Sequence, residues 1–267
     1  MRPGAAAALG TLHGPAELVP VSSSAHVGLV AWLLGWEDAD GARRKELEVL
    51  LHAGTGAALL WVLRRDAAAA LCGLDRRRVA LHGLALGVPS AAGLALEGLV
   101  EERLGTPRAT AAGLVAGSVL LLAGDAVPDR GRTAADAGPL DGLVLGLAQA
   151  AALAPGVSRL GATLAAARLR GFVRAEASAL SWEIAVPVLV AATTLKVRRL
   201  VADPPPRAGR RALAAGAAAA FASTLAAVPL LRIVERGPWW PWAAERVALA
   251  AVTVARSRRA ACEDRRR

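Results

Sequence analysis

The chain has 267 residues, of which 55% are hydrophobic and 20% are charged, with a mean hydropathy of +0.42 and a formal net charge of +10. Hydrophobic residues extend along the whole length and charges cluster between apolar runs, which excludes a soluble domain on one anchor and is typical of a polytopic membrane protein. Loop arginines that contact anionic lipid explain the net charge better than nucleic-acid binding does. Cys72 and Cys262 share no motif spacing, so neither a disulfide framework nor a zinc site is indicated.

Two apolar stretches are too long for one membrane span and are interrupted near their centres by helix breakers. The first, residues 5–36, is broken by Gly14-Pro15 and by Pro20, and the second, residues 140–172, is broken by Pro155-Gly156. We expect each to form a re-entrant helical hairpin. An unwound turn at membrane depth is tolerated only where it is buried in protein or lines a wet cavity.

Other apolar runs approach the roughly 20 residues that a spanning helix needs. They are residues 47–63, 79–99, 109–123, 179–197, 212–231 and 240–255. The sequence therefore predicts an all-α fold, a single membrane domain over residues 1–267 with about six transmembrane helices and two re-entrant hairpins. Pro20 and Pro155 are 135 residues apart, as are Glu48 and Glu183, which favours an inverted repeat of residues 1–125 and 138–256.

The first break carries a carboxylate, three serines and a histidine, namely Glu17, Ser22, Ser23, Ser24 and His26. The serines can cap the following helix, whose N-terminus suits a bound anion. Glu17 can hold a divalent cation that bridges pyrophosphate oxygens. His26 can act as general acid or base, and Ser23 is the most plausible nucleophile, activated by His26, although water is equally allowed.

The second break supplies phosphate-binding groups. Ser158 can cap the helix that follows Pro155-Gly156, and Arg159 carries a planar fork that binds phosphate bidentately. Gly161 and Thr163 complete the predicted phosphate-binding set. The structural alternatives are that the serines only cap helices, that Glu17 pairs with Arg159 within the bundle, or that Arg159 extends towards the membrane surface.

A second rank of polar residues could line the same site. Glu48 and His52 stand four apart, and so share one helix face. His13 and Glu17 have the same spacing, but Gly14-Pro15 lies between them. Glu183 lies inside an apolar run and has no evident partner in the sequence.

The two motifs resemble those of the bacterial undecaprenyl-diphosphate phosphatases of the bacitracin-resistance type. The family's Glu-rich segment running into Pro-Val-Ser-Ser-x-x-His is similar to residues 17–26, and its Pro-Gly-x-Ser-Arg-Ser-x-x-Thr motif to residues 155–163. Residues 179–187 resemble its Phe-Ser-Phe-x-x-Ala-x-Pro stretch. The resemblance implies a multi-pass enzyme of the bacterial cell membrane that removes the terminal phosphate from undecaprenyl diphosphate, recycling the lipid carrier for cell-wall synthesis and conferring bacitracin resistance.

The resemblance also implies a divalent cation, Mg²⁺ or Ca²⁺, a polyprenyl diphosphate substrate, contact with membrane lipids and no nucleic-acid partner; a homodimer is left open. Its motifs place the site at Glu17, Ser23, His26, Ser158, Arg159 and Thr163.

The chain departs from the family pattern at four positions. His13 stands where an acidic or amide residue is usual, His52 where glutamine is usual, Leu160 in place of the second serine and Ala25 in place of a glycine. The lost carboxylate bears on cation affinity, and Leu160 removes a phosphate donor. Two alternative functions are therefore a polyprenyl-phosphate transporter or flippase, which would bind the same headgroup without cleaving it, and a weakly active paralogue.

Overall fold

The computed structural model describes residues 1–36, 41–99, 104–202 and 207–264, and this part of the chain folds into twelve α-helices without a β-strand. The helices are α1 (Pro3–Leu18), α2 (Ser23–Leu33), α3 (Gly41–Val62), α4 (Arg64–Cys72), α5 (Arg76–Leu99), α6 (Pro107–Asp125), α7 (Pro139–Ala151), α8 (Arg159–Leu169), α9 (Arg174–Ala202), α10 (Arg207–Ala227), α11 (Pro229–Arg236) and α12 (Trp240–Asp264). The predicted all-α class is confirmed.

Two helices in the described ranges are long and apolar enough to cross a membrane: Arg76–Leu96 within α5, and α6. A third candidate joins most of α10 to α11, which meet at a bend of 54°. The candidate span at residues 212–231 falls on this bent pair, because Pro229 begins a new helix and cannot continue the hydrogen-bond ladder of α10. The predicted number of six spans stays a prediction.

The first helix break lies at residues 19–22, between α1 and α2, and not at Gly14-Pro15. Helix α1 continues through Pro15, so the expected interruption there is wrong. The reason is tertiary packing, because α1 lies so close to α10 that a Cβ on Gly14 would be 2.5 Å from the backbone nitrogen of Thr224. The second break, at residues 152–158 between α7 and α8, contains Pro155-Gly156 as predicted.

The two breaks turn the backbone in different ways. Ser22 adopts a left-handed conformation, with φ of +77°, and its side chain forms no cap bond to α2. The prediction that Ser22 caps this helix is therefore wrong, because its backbone conformation serves the turn. Ser158 does cap α8, since its Oγ accepts a hydrogen bond from the backbone N–H of Gly161 at 3.1 Å. Gly156, with φ of +93°, makes the second turn possible.

Helix α8 is buried along nearly its whole length, from Leu160 to Arg168. Its alanines allow close approach of its neighbours, and a Cβ on Gly124 of α6 would lie 2.5 Å from the Cα of Ala165. A helix that is buried on all sides belongs to the core of the bundle. Packing of the rest of α8 therefore holds Arg159, the first residue of this helix, inside the helix bundle.

One carboxylate ties together the ends of the second helix pair. Asp141 of α7 accepts hydrogen bonds from Arg132 at 2.8 Å, from Arg170 after α8 at 2.8 Å and from the backbone N–H of Gly138 at 2.9 Å. The side chain of Asp141 is buried, whereas both arginines are partly exposed. The helix pair α7–α8 is thus held at both ends. The break joins the helices at one end, and the two ion pairs of Asp141 join them at the other.

We expect Asp141→Asn to lower the free energy of unfolding by about 2 kcal/mol, because it removes the charge from hydrogen bonds that each contribute about 1.5–3 kcal/mol. Thermal unfolding in detergent measures this loss. Asp75→Asn is the matched control, since exposed Asp75 accepts one hydrogen bond, from the backbone N–H of Arg78, and asparagine serves as a helix-capping acceptor about as well as aspartate does. Equal losses in the two variants would show that Asp141 has no special role.

Candidate active site between the two helix breaks

A cavity of about 200 Å³ lies where the two helix breaks meet. Its lining residues are Ala16, Glu17, Ser22, Ser23, Ser24, His52, Ala152, Val157, Ser158, Arg159 and Leu160. Motifs that are more than a hundred residues apart in the sequence therefore face one space. Most of the predicted site residues are among the lining ones.

Glu17 lines this cavity and is buried. Arg159 Nη2 donates a hydrogen bond to Glu17 Oε1 at 2.6 Å, and Ser23 Oγ donates to Glu17 Oε2. Arg159 Nη1 is buried without a hydrogen-bond partner among the described residues. The structure thus contains the Glu17–Arg159 ion pair that the sequence offered as one alternative, and Nη1 of the guanidinium stays available to a further anion.

Two histidines lie beside Glu17. The His13 and His52 rings contact each other edge to face, with centroids 4.5 Å apart, and His52 Nε2 is 3.9 Å from Glu17 Oε2. One ligand atom from each of His13, Glu17 and His52 lies within 4.8 Å of the other two, so this group could hold a metal ion. Because α1 is continuous, His13 and Glu17 share one face one turn apart.

The Nδ1 atom of each imidazole is hydrogen-bonded to an oxygen of a neighbouring residue. His13 Nδ1 is hydrogen-bonded to Thr55 Oγ1 at 2.9 Å, and His52 Nδ1 donates to the backbone carbonyl of Glu48 at 2.8 Å. In a neutral His52 the proton therefore lies on Nδ1, which leaves the lone pair on Nε2 towards Glu17. Glu48 contributes its backbone and is not among the lining residues. His13 Nε2 is buried and has no hydrogen-bond partner in the described part of the chain.

His26 lies at the edge of this arrangement and is not among the lining residues. Its Nδ1 donates to the Ser22 carbonyl at 2.9 Å, and its Nε2 lies 2.7 Å from Glu245 Oε1 on α12. Across the described residues, the structure places no hydrogen bond between His26 and Ser23, whose hydroxyl instead donates to Glu17. The carboxylate nearest the Ser23 proton is thus Glu17.

Gly161 and Thr163 lie on the first turns of α8, outside the lining set. The Thr163 hydroxyl donates to the carbonyls of Arg159 and Leu160 at 3.0 and 3.1 Å, so its proton is used within the helix. Glu183 is also remote from the cavity lining and pairs with Arg78 at 3.2 Å and with His82 at 3.1 Å. The missing partner of Glu183 is thereby supplied by α5.

Arg246 of α12 is a residue that the sequence reasoning missed. Its side chain is fully buried, and it donates to Pro20 O at 3.1 Å through Nη1 and to Gly156 O at 3.0 Å through Nη2. One guanidinium thus joins the backbone of both helix breaks. The signal was present, because Glu245-Arg246 is a charged pair inside an apolar run, where polar groups are costly and often functional.

Comparison with known proteins gives matches along nearly the full length. The family model described as "Bacitracin resistance protein BacA" matches residues 6–252. The chain is 36% identical to the undecaprenyl-diphosphatase of Gemmatimonas aurantiaca over 259 residues, which cover 92% of this chain and 95% of that protein. It is 39% identical over 252 residues to the undecaprenyl-diphosphatase of Geobacter sulfurreducens, covering 89% and 91% of the two chains. The undecaprenyl-diphosphatase of Thermomicrobium roseum is 32% identical over 271 residues, covering 92% and 95%.

Proposed function

The chain belongs to the BacA family of bacitracin resistance proteins, and we propose that it hydrolyses undecaprenyl diphosphate to undecaprenyl phosphate and inorganic phosphate. The relatives that carry the name undecaprenyl-diphosphatase support this reaction. The observation that carries the proposal is the contact of Arg159 and Ser23 with the same buried carboxylate, Glu17, in a cavity between the two helix breaks. The reaction recycles the lipid carrier for cell-wall synthesis and confers bacitracin resistance.

Arg159 is proposed to bind the terminal phosphate through Nη1, the nitrogen that has no partner among the described residues. The N-terminus of α8 faces the same cavity through Ser158 and Arg159, and unpaired N–H groups there favour an anion. Ser22 and Ser24 add hydroxyls to the lining. Phosphoryl transfer depends mainly on positioning and on charge stabilisation, which these groups supply.

The nucleophile is Ser23 Oγ or a water molecule in the same place. In the serine route, Oγ bonds to the terminal phosphorus while the bond from that phosphorus to the bridging oxygen breaks, and undecaprenyl phosphate leaves. The Ser23 proton passes to Glu17 Oε2, its acceptor in the structure. Water then cleaves the phosphoserine and releases phosphate. In the water route, Glu17 takes the proton from water and Ser23 orients it.

His26 is proposed to act as a general acid together with Glu245. Each ring nitrogen of His26 lies against an oxygen atom, Nδ1 against the Ser22 carbonyl and Nε2 against Glu245 Oε1. Both contacts are hydrogen bonds only if the His26–Glu245 pair holds one proton more than a neutral imidazole and a carboxylate do together. That proton can be transferred to a leaving phosphate oxygen. Gly161 and Thr163 are proposed to shape the first turns of α8 and not to donate directly.

A divalent cation is proposed to bind at the group formed by His13, Glu17 and His52. When bound, such a cation would neutralise negative charge on the pyrophosphate. The family resemblance implies that this cation is Mg²⁺ or Ca²⁺, and both of these ions take oxygen ligands. Two of the three donors here are imidazole nitrogens, so the donors fit a divalent cation but fit these two ions poorly.

We propose that the chain forms a single domain in the bacterial cell membrane, where its substrate lipid resides. The spanning elements are α3, α5, α6, α9, the bent pair α10–α11 and α12, and the two broken pairs α1–α2 and α7–α8 re-enter the membrane. Helix packing supports an inverted repeat of residues 1–125 and 138–256, because in each half the first helix of the broken pair packs against a helix of the other half. Helix α1 contacts α10 through Gly10 and Gly14, and α7 contacts α5 through Gly142 and Gly146. The homodimer stays a prediction.

The test is phosphate release from undecaprenyl diphosphate by detergent-purified protein, with added divalent cations and with EDTA. Glu17→Gln is expected to lower the rate about 100- to 1,000-fold, as is usual for loss of one catalytic group. Glu183→Gln is the matched control, because Glu183 is a partly buried carboxylate paired with an arginine and a histidine outside the cavity lining. If the wild type binds the lipid through Arg159 but releases no phosphate, the proposed hydrolysis is wrong and transport of the lipid becomes the favoured function.

A further inference from the structure

We propose that the cation site of this chain is a two-histidine, one-carboxylate site that binds a borderline transition-metal ion such as Zn²⁺ in preference to Mg²⁺ or Ca²⁺. Its ligands are His13, Glu17 and His52. Only the catalytic use of the ion rests on the proposed function. Binding of the ion follows from the donor atoms themselves.

The donor set is mixed, with two nitrogens and one carboxylate oxygen. Imidazole suits Zn²⁺, Fe²⁺ and other first-row ions, whereas Mg²⁺ and Ca²⁺ select oxygen. The ligand atoms lie within 4.8 Å of one another, and ligands of a tetrahedral zinc ion at about 2.0–2.1 Å lie about 3.4 Å apart. Side-chain movements of about 1 Å would therefore complete the site.

An unsatisfied buried nitrogen points independently to a ligand. His13 is fully buried, its Nδ1 is hydrogen-bonded to Thr55, and its Nε2 has no hydrogen-bond partner in the described ranges of the chain. Leaving such a group unsatisfied destabilises the folded state. A bound cation would remove this destabilisation, because a neutral imidazole presents a lone pair to it.

The groups behind the ligands are arranged as they are in metal sites. A metal-binding histidine generally has its second nitrogen held by a neighbouring oxygen, which fixes the ring and the tautomer. Here Thr55 Oγ1 holds His13 and the Glu48 carbonyl holds His52. Glu17 Oε1 accepts from Arg159 and Oε2 accepts from Ser23, and Oε2 is the oxygen on the side of His52. Each ligand is therefore positioned before any ion binds.

The position of the group beside the cavity gives the ion a use. His52 and Glu17 line the cavity in which Arg159 is proposed to bind phosphate. An open coordination position on an ion held by three protein ligands is the arrangement of catalytic metal sites. The ligand that would fill it is a phosphate oxygen or a water molecule.

The experiment measures binding of Zn²⁺, Mn²⁺, Mg²⁺ and Ca²⁺ to chelator-treated, detergent-purified protein by isothermal titration calorimetry, and retained metal by mass spectrometry. We expect one Zn²⁺ per chain, bound at least 100-fold more tightly than Mg²⁺ or Ca²⁺. His13→Glu combined with His52→Gln replaces the nitrogens by oxygens and is expected to reverse this order of preference. His52→Gln alone, at a partly exposed position, is expected to weaken Zn²⁺ binding at least 10-fold and tests the site even if the double variant fails to fold.

His82→Gln is the matched control, because His82 forms another partly buried histidine–glutamate contact, at 3.1 Å from Glu183. It is expected to leave Zn²⁺ affinity unchanged. The inference is overturned if Mg²⁺ or Ca²⁺ binds more tightly than Zn²⁺, or if His82→Gln reduces Zn²⁺ binding as much as His52→Gln does. Zn²⁺ bound through His13 and His52 without phosphate release would uphold this inference and refute the proposed function. Phosphate release with Mg²⁺ and no Zn²⁺ site would do the reverse.

Discussion

Replacing Arg159 by lysine is expected to lower the rate of phosphate release about 100- to 1,000-fold, although the positive charge is kept. The guanidinium has two tasks that separate nitrogens perform. Nη2 holds Glu17 at 2.6 Å, while Nη1 is left without a partner in the described part of the chain. A lysine ammonium is a single point charge and cannot keep both contacts in a planar, bidentate geometry. Steady-state kinetics in detergent measure the loss.

The competing interpretation is that Arg159 only neutralises Glu17 within the bundle. Lysine would then preserve most of the activity, and the variant would differ chiefly in thermal stability. Arg170→Lys is the matched control, because Arg170 follows the other end of α8 and pairs with Asp141 away from the cavity lining. Near-wild-type release by Arg159→Lys would contradict a direct role in phosphate binding.

A second large effect is expected at Arg246, which among the described residues hydrogen-bonds to the two helix breaks and to neither Glu17 nor Arg159. Arg246→Met keeps a long side chain but removes the hydrogen bonds to Pro20 O and Gly156 O. These carbonyls belong to the two turns that bring Ser23 and Ser158 to one cavity. A displacement of about 1 Å in a catalytic group can reduce the rate about 100-fold, and we expect a loss of that size in kcat.

Stability should change less than activity in Arg246→Met. Each lost charge-assisted hydrogen bond contributes about 1.5–3 kcal/mol, but removing a buried cation also removes its desolvation cost, which offsets much of that loss. Arg246→Lys, which can reach only one of the carbonyls, is expected to restore part of the activity. A fall in thermal stability that accounts for the whole loss of activity would show a merely structural role.

Gly117 of α6 offers an independent test of Arg246. A Cβ at this position would lie 2.0 Å from Arg246 Nη2, so Gly117→Ala must displace the guanidinium from its hydrogen-bonded position. We expect this variant to lower kcat as Arg246→Met does. Gly83→Ala is its control, since a Cβ on Gly83 of α5 meets no atom within 4 Å among the described residues. Equal activity in the two alanine variants would contradict the positioning role.

The residues of the cavity were largely predictable because the motifs are local. Glu17, the serines and Arg159 stand next to helix-breaking residues inside apolar runs, and that juxtaposition is visible in sequence. The two histidines had only a secondary place in the predicted site, because a lone histidine in an apolar run is more often a satisfied helix-packing residue. Packing against α10 keeps α1 continuous and places His13 one turn from Glu17.

The sequence by itself determined the all-helical class, the membrane character, the second helix break and the residue types available at the site, because periodicity, hydropathy and helix breakers act over short distances along the chain. Only the tertiary structure decided which of these residues meet. His52 from α3 joins the His13–Glu17 face of α1, Glu245 pairs with His26, and Arg246 links the two breaks. These contacts join residues far apart in the chain, and no local pattern encodes the packing that aligns them.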